Sequence, residues 1–383
     1  MGIIMSFIGL IFGYQLFLYI LAMQGRKGQE WNRITNLTPI NNILVIIPAH
    51  NEEKVIGNLL NDLKKQTIKA DIVVVADHCT DKTREICKTY DVYVYIRNKG
   101  IPGKQFALFE FMRTLKQQTK WDSITILDAD NRLDNNYLEN IMHSLKRHQV
   151  VQAYLDVVSS NNWVAKAYEI NYRVMNGILQ RARQSLGLTA FLGGTGWACR
   201  WSVLEQVPFD CSSVTDDIEY TVKLWLADIR IEYLEDVKIY DEKPRSLKVS
   251  YFQRLRWMRG GYQVLFRYLK SIIINGLIIK KRLSIIDLLF SMSLYIVGAI
   301  NSLLILLALL GISGAHWSFT TYAIYQMIYL GLYILLDHLS SFKLLLCLPA
   351  SLIVNIITIP MSIHGLLTWN KKNWVRTEHY GNL

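Results

Sequence analysis

The sequence predicts an α/β domain, a mostly parallel sheet with helices on both faces, joined to interfacial and transmembrane helices. Three observations carry this. Between residues 43 and 127, short and nearly all-apolar runs alternate with segments of helical period. Polar clusters recur at the ends of those runs, and the last hundred residues are hydrophobic enough for a bilayer. Strands that are apolar throughout and separated by helices are covered on both faces, which is how parallel sheets are built.

Ile43 to Ile47 is a continuous apolar run ended by Pro48, which cannot donate to a ladder. Asn51-Glu52-Glu53 opens an amphipathic segment with Val55, Ile56, Leu59, Leu60 and Leu63 on one face, so a helix follows. Ile72 to Ala76 predicts a second strand, Thr83 to Tyr90 a short helix and Val92 to Ile96 a third strand. Gly100 and Gly103 bracket a turn, Lys104 to Leu115 reads as a helix, and Ile124 to Leu127 is a fourth strand closed by Asp128-Ala129-Asp130. Asn51, Glu52, Asp77, Lys104, Asp128 and Asp130 then line the crevice where an open α/β sheet binds its ligand. Two carboxylates one residue apart can hold a hard divalent cation; taken alone, the triplet equally fits a solvated strand-to-turn edge.

Residues 163 to 186 carry Tyr168, Ile170, Tyr172, Val174, Met175, Ile178 and Leu179 at helical spacing and are expected to pack on the sheet. Gly193-Gly194-Thr195-Gly196 is too irregular for a dinucleotide fingerprint and reads as a tight turn or a substrate-facing one. Asp217 starts a helix that runs through Ile218, Val222 and Leu224, with Thr215 as its cap. An enclosed carboxylate there can be tuned as a general base; the plainer reading is an acidic helix start.

The chain has 383 residues and a formal charge of +11, which suits anionic membranes, nucleic acid or phosphorylated substrates without choosing among them. Absence of zinc-ligand spacing and of an interleaved aromatic and basic repeat argues against nucleic acid. Charge placement argues for a membrane: Arg26 and Lys27 follow the apolar run from Ile3 to Met23, Lys280-Lys281-Arg282 precede the next long one, and Lys371-Lys372 follow the last. The first run lacks a basic start and a small-residue cleavage site, so a retained anchor is expected. Tyr251 to Leu269 mixes four arginines with aromatic and aliphatic residues, as an interfacial helix does. Ile285 to Ile312 is long enough to span, 322 to 336 is marginal, and 344 to 368 contains Pro349 and Pro360. Three crossings would leave Lys371 outside against the positive-inside rule, so one of the last two segments is expected to be re-entrant, with 344 to 368 the candidate because of Pro349. Five scattered cysteines read as free thiols in a reducing compartment.

Taken in order, the motifs resemble those of the family 2 glycosyltransferases, and within them the membrane-embedded processive polysaccharide synthases of cellulose, chitin, hyaluronan and poly-N-acetylglucosamine. They are Pro48-Ala49-His50-Asn51-Glu52, Asp77-His78-Cys79-Thr80-Asp81, the turn from Asn98 to Lys104, Asp128-Ala129-Asp130, Thr215-Asp216-Asp217 and Gln253-Arg254-Leu255-Arg256-Trp257. The resemblance implies a GT-A-type domain and a nucleotide-sugar site made of Pro48, Ala49, Asn51, Glu52, Asp77, Lys104, Asp128, Ala129 and Arg256. It implies Mg2+ or Mn2+ on Asp130 and Asp128, and Asp217 as the base that takes the acceptor proton in one inverting displacement. Thr195, Gly196, Asp216, Gln253 and Trp257 would meet the acceptor. Trp374-Val375-Arg376-Thr377-Glu378-His379 resembles a C-terminal gating segment, with Thr377 and His379 reaching the diphosphate from the cytoplasmic side. Thr-Asp-Asp stands where many such synthases carry Thr-Glu-Asp, and the glycine turn is similar but not identical.

The resulting organisation is an N-terminal transmembrane anchor over 1–25, a cytoplasmic glycosyltransferase domain over 26–250, interface helices over 251–282, a transmembrane region over 283–369 and a cytoplasmic gating-like segment over 370–383. Expected partners are a UDP-sugar, a polysaccharide or lipid-linked acceptor, the bilayer, and an export protein or second copy to complete a channel. Three functions are open: extension of a β-linked polysaccharide, transfer of one sugar to a polyprenyl-phosphate or glycolipid, and a membrane transporter or receptor that senses nucleotides without turnover. The donor sugar is open as well.

Overall fold

The computed structural model describes residues 38–115, 120–158, 161–275, 283–311, 348–371 and 379–381, with parts of 9–20 and positions 320 and 324. Its first elements are β1 (Ile43–Ala49), α1 (Ile56–Lys64), β2 (Asp71–Asp77), α2 (Thr83–Lys88), β3 (Tyr93–Arg97), α3 (Lys104–Leu115), β4 (Ser123–Ile126), β5 (Arg132–Leu133), α4 (Tyr137–Leu145) and β6 (Val150–Val157). Then come α5 (Trp163–Arg173), a π-helical stretch (Val174–Gln180), α6 (Arg181–Ser185), β7 (Trp197–Arg200), α7 (Trp201–Gln206), α8 (Asp216–Leu226) and β8 (Ile231–Asp241). The last are α9 (Leu247–Ser271), α10 (Leu283–Leu309), α11 (Leu348–Ile356) and α12 (Thr358–Leu367). They fall into two compact units: a helical one of Met1–Gln29, Ser160–Leu188 and Pro244–Val375, and a sheet unit of Glu30–Ser159, Thr189–Lys243 and Arg376–Leu383.

The sheet unit is an eight-stranded sheet of order β3-β2-β1-β4-β7-β6-β8-β5. β3, β2, β1 and β4 are parallel, as expected, and so is β6 with β8. β7 runs antiparallel to β4 and β6, and β5 antiparallel to β8, so the sheet is mixed though mostly parallel. β1 is central, and Leu44 to Ile47 are fully buried, each side chain contributing about 1.5–3 kcal/mol. Pro48 does not stop this strand: it pairs with Val75 of β2. Ile46 accepts from Leu127 on the β4 side, and Pro48, two residues on, faces that same side just past the last β4 pairing at Ile126. The missing N–H therefore costs no ladder bond. Helix α3 lies against β1 and β2, and α4 against β6, β7 and β8. Asp62 of α1 holds the two-residue β5 through Arg132 Nε at 2.6 Å and the Leu133 N–H at 3.2 Å.

In the helical unit, α5 packs on α11, while α9, α10 and α12 pack on one another. The 163–186 segment thus groups with the C-terminal helices rather than forming part of the sheet unit. Its buried polar groups explain this: Asn171 donates to Asn355 and accepts from Ser351, and Tyr168 bonds Ser250. Arg254 lies over the Tyr168 ring at 4.7 Å and donates to Val354 O and Thr358 Oγ1. Those two acceptors flank Ile357, where α11 gives way to α12. Pro349 and Pro360 both sit in first turns, where a missing N–H is tolerated, so the interruption falls at Ile357 rather than at Pro349. Ser284–Leu309 and Pro349–Leu367 are long and apolar enough to cross a membrane.

Candidate active site

Parallel strands deliver the loops after β1, β2 and β4 to the same sheet edge, and neighbouring β2 and β4 on either side of β1 mark the crevice there. After β1, Asn51 adopts a left-handed backbone (φ 58°) and its Oδ1 accepts from the Thr80 N–H at 2.7 Å. The Glu52 N–H donates to Thr83 Oγ1, lacing this loop to the one after β2. Asp77, at the end of β2, is 3% exposed. Its Oδ1 accepts from Arg97 at 2.6 Å and faces His78 Nδ1 at 2.8 Å, while its Oδ2 accepts from the Gly103 N–H at 2.7 Å. Both oxygens therefore have protein partners, and together with the Arg97 bond to Ile101 O they fix the 98–103 turn.

β4 ends at Ile126, and the acidic triplet forms a separate turn two residues on. The Asp128 N–H donates to Asn131 Oδ1 and Thr195 Oγ1, each at 2.9 Å, and the Asn131 N–H closes the turn onto Asp128 O. Ala129 is buried inside it. Lys104 opens α3 and donates to Asp128 Oδ1 at 2.5 Å and to Gly194 O at 2.7 Å. Burial opposes the Lys104 charge, but Asp128, Asp216 and Asp217 outweigh it and hold the ammonium above its ordinary pKa.

Asp130 points to a second cluster. Its Oδ2 is 3.5 Å from His379 Nε2, whose other ring nitrogen is 2.8 Å from Glu52 Oε2. Asp241, at the end of β8, hydrogen-bonds Asp130 and pairs with Lys243. Burial pushes the Asp130 carboxyl well above the usual carboxylate range, His379 opposing and Asp241 adding to it. Asp241 is held low against its own burial by Lys243 and the Asp130 hydrogen bond. Burial disfavours the His379 cation, yet Asp130, Glu52 and Asp241 lift its pKa to about 10. The Tyr380 and Gly381 N–H groups donate to Glu242, which seats this C-terminal stretch.

Helix α8 brings the third acidic group. Asp216, Asp217 and Glu219 all lie in its first turn, where the helix dipole favours anions. Thr215 occupies the cap position, but its hydroxyl makes no capping bond and is buried without a hydrogen-bond partner. Asp216 is buried and Asp217 half-buried. Asp217 Oδ1 accepts from the Ile218 N–H, and its Oδ2 lies 3.3 Å from where a Cβ on Gly194 would sit. The glycine turn thus borders Asp217 on one side and Lys104 on the other. Thr195 is 2% exposed and donates to Asn131 Oδ1 at 2.5 Å, while the Gly196 N–H donates to Ile126 O.

The structure gathers Pro48, Ala49, Asn51, Glu52, Asp77, Lys104, Asp128, Ala129, Asp130, Thr195, Gly196, Asp216, Asp217 and His379 in the sheet unit. Gln253, Arg256 and Trp257 lie on α9 of the helical unit, with Trp257 edge-on to Tyr168 at 6.3 Å and Gln253 Oε1 buried without a hydrogen-bond partner. Thr377 lies outside the described residues. Asn131, Gln152, Asp241 and Glu242 escaped the sequence reading. The alternation Ile231, Tyr233, then Val237, Ile239 marks β8 as a strand, and its acidic end could have signalled Asp241 and Glu242.

A model of the glycosyltransferase-like family 2 matches residues 40–260, from the start of β1 to the middle of α9. The chain belongs to that family. It is a nucleotide-sugar-dependent glycosyltransferase with a GT-A-like fold. It is 26% identical over 295 residues to a Bacillus subtilis protein named "Probable glycosyltransferase YdaM", spanning 70% of this chain and 69% of that one. It is 25% identical over 241 residues to the poly-beta-1,6-N-acetyl-D-glucosamine synthase of Staphylococcus aureus, over 61% of this chain and only 57% of the synthase. The mannosyltransferase PcManGT of Pyrobaculum calidifontis, solved with GDP-Man and Mn2+, shares the fold at a TM-score of 0.62 and 17% identity, over 97% of this chain and 99% of that one.

Proposed function

We propose that this glycosyltransferase is metal-dependent and inverting, and that it extends a β-linked polysaccharide from a UDP-sugar at the cytoplasmic face of a membrane. One observation carries the reading: the glycine turn seats a half-buried carboxylate, Asp217, beside an acidic turn that Lys104 and His379 face. The oxygen donors of Asp128, Asp130 and Asp241 with the His379 imidazole are the chemistry that Mg2+ or Mn2+ takes. Among the described residues no three such groups are yet arranged around a common point. Asp130 with Asp128 would hold the ion, and the ion would offset charge on the departing diphosphate.

The chain's own groups do the rest. Asp77 fixes the 98–103 turn that walls the nucleoside, and Glu52 borders it. Asp217 takes the proton of the acceptor hydroxyl as that oxygen bonds the anomeric carbon and the bond to the diphosphate oxygen breaks, which inverts the centre. Lys104 balances the leaving charge, and Asp216 and Thr195 orient the acceptor. His379 and Thr377 cover the nucleotide. The apolar α10 and α11–α12, flanked by the basic runs at 280–282 and 371–372, support the membrane setting.

Membranes carrying the protein, incubated with radiolabelled UDP-sugars and Mg2+ or Mn2+, should yield a polymer that sizing and linkage mapping define. Products no longer than a lipid-linked mono- or disaccharide would overturn polymer extension in favour of single transfer. Nucleotide binding without turnover would overturn the enzyme reading.

A further inference from the structure

We propose that Gln152, a 1% exposed residue of β6, is a positioning residue that sets the gap between the acidic turn and Asp217. The inference rests on the glycosyl-transfer reading above, in which those two groups act on the same sugar. The glycine turn lies between them: Gly194 O accepts from the Lys104 ammonium that also donates to Asp128, Thr195 Oγ1 donates to Asn131 Oδ1, and Gly194 leaves the space that Asp217 Oδ2 borders.

Gln152 grips this turn at two points. Its Oε1 accepts from the Gly193 N–H at 2.9 Å, and its Nε2 donates to Thr195 O at 3.0 Å and to Ala153 O at 2.9 Å. The amide continues the β6–β7 pairing one step past its last rung at Gln152 and Trp197. The turn packs closely against both neighbouring strands. A Cβ on Gly193 would come within 2.3 Å of Leu155 Cδ1 on β6, and one on Gly196 within 2.6 Å of Ile239 Cδ1 on β8. Gly194 and Gly196 also hold left-handed backbones, with φ of 84° and 67°. The turn is therefore pressed between β6 and β8, and the Gln152 amide fixes how far it reaches toward Asp217. Without that amide, a backbone N–H and a carbonyl lose their partners, and the turn shifts to recover them. A displacement of about 1 Å in a reacting constellation can cost about a hundredfold in rate.

The test compares wild type with Gln152→Leu, close in size but without the amide, and Gln152→Glu, which keeps the acceptor for Gly193 and loses the donor to Thr195. In Gln152→Leu, kcat should fall about 10- to 100-fold while KM for the sugar nucleotide and the Mn2+ midpoint move less than about threefold. Exchange of the Gly193 amide with deuterated solvent should speed up about tenfold or more. Gln152→Glu should lose kcat while leaving Gly193 protected, and it stands as the test if the leucine variant does not fold. A kcat within about twofold of wild type in the variants, or a KM for donor that rises as much as kcat falls, would overturn the assignment. If wild type transfers no sugar, the functional reading fails on its own, and unchanged Gly193 exchange in Gln152→Leu would separately refute the seat.

Discussion

Two buried charge clusters, one in each compact unit, are built on opposite terms. In the helical unit, Arg183 Nε meets Asp287 Oδ2 at 2.9 Å, Arg183 also donates to Ser291 Oγ at 3.0 Å, and the Tyr14 hydroxyl donates to Asp287 at 2.6 Å. One cation faces one anion, both at most 5% exposed in their side chains, and neutral hydroxyls fill in around them. In the sheet unit, Glu52, Asp130 and Asp241 face His379 and Lys243, and burial pushes the Asp130 carboxyl well above the usual carboxylate range. A closed pair holds helices in register; an acid-rich cluster is suited to receive a cation.

The largest effect should come from Asp217→Asn, which removes the proposed base while keeping its shape. Sugar transfer should fall about 10²- to 10⁴-fold with UDP binding nearly intact, measured by radiolabel incorporation and calorimetry; unchanged transfer would end the assignment. Next, Asp130→Ala should abolish the Mn2+ dependence of nucleotide binding, and an equal dependence in the variant would remove Asp130 from the ligand set. Asp287→Asn attacks the closed pair instead. It leaves Arg183 buried without its counter-charge and should cost about 3–5 kcal/mol of stability, seen in thermal unfolding in detergent, whereas replacing both partners by leucine should restore most of it. A variant equally crippled by the double replacement would make the comparison between the clusters untenable. His379→Ala is expected to act least, raising KM for the donor about two- to tenfold with kcat little changed.

Legibility in the sequence followed range of interaction. Helix α3 begins and ends where its pattern said, at Lys104 and Leu115, because an amphipathic period and a preceding glycine turn are local signals. The first four strands were legible within a residue or two for the same reason. β6 and β8 were not read: β6 carries Gln152 among its apolar residues, and β8 breaks its pairing with β6 between Leu234 and Lys238. Among the site residues, the acidic triplet and Asp217 stand in recognisable motifs. Asn131, Gln152, Asp241 and Glu242 do not, since each matters through a partner between 41 and 139 residues away, as with Gly193 for Gln152 and Gly381 for Glu242.

The sequence by itself determined the element types in the first half of the sheet unit, the family and the order of the acidic motifs, because propensity, period and turn chemistry act over a few residues. Only the tertiary structure decided that 163–186 belongs with the C-terminal helices, that Asp77 spends both oxygens on its own turn, and that His379 meets Asp130. These are long-range pairings of buried polar groups. A chain cannot announce them locally, since each partner looks like an ordinary polar residue until burial removes its water and leaves the other as its only source of hydrogen bonds.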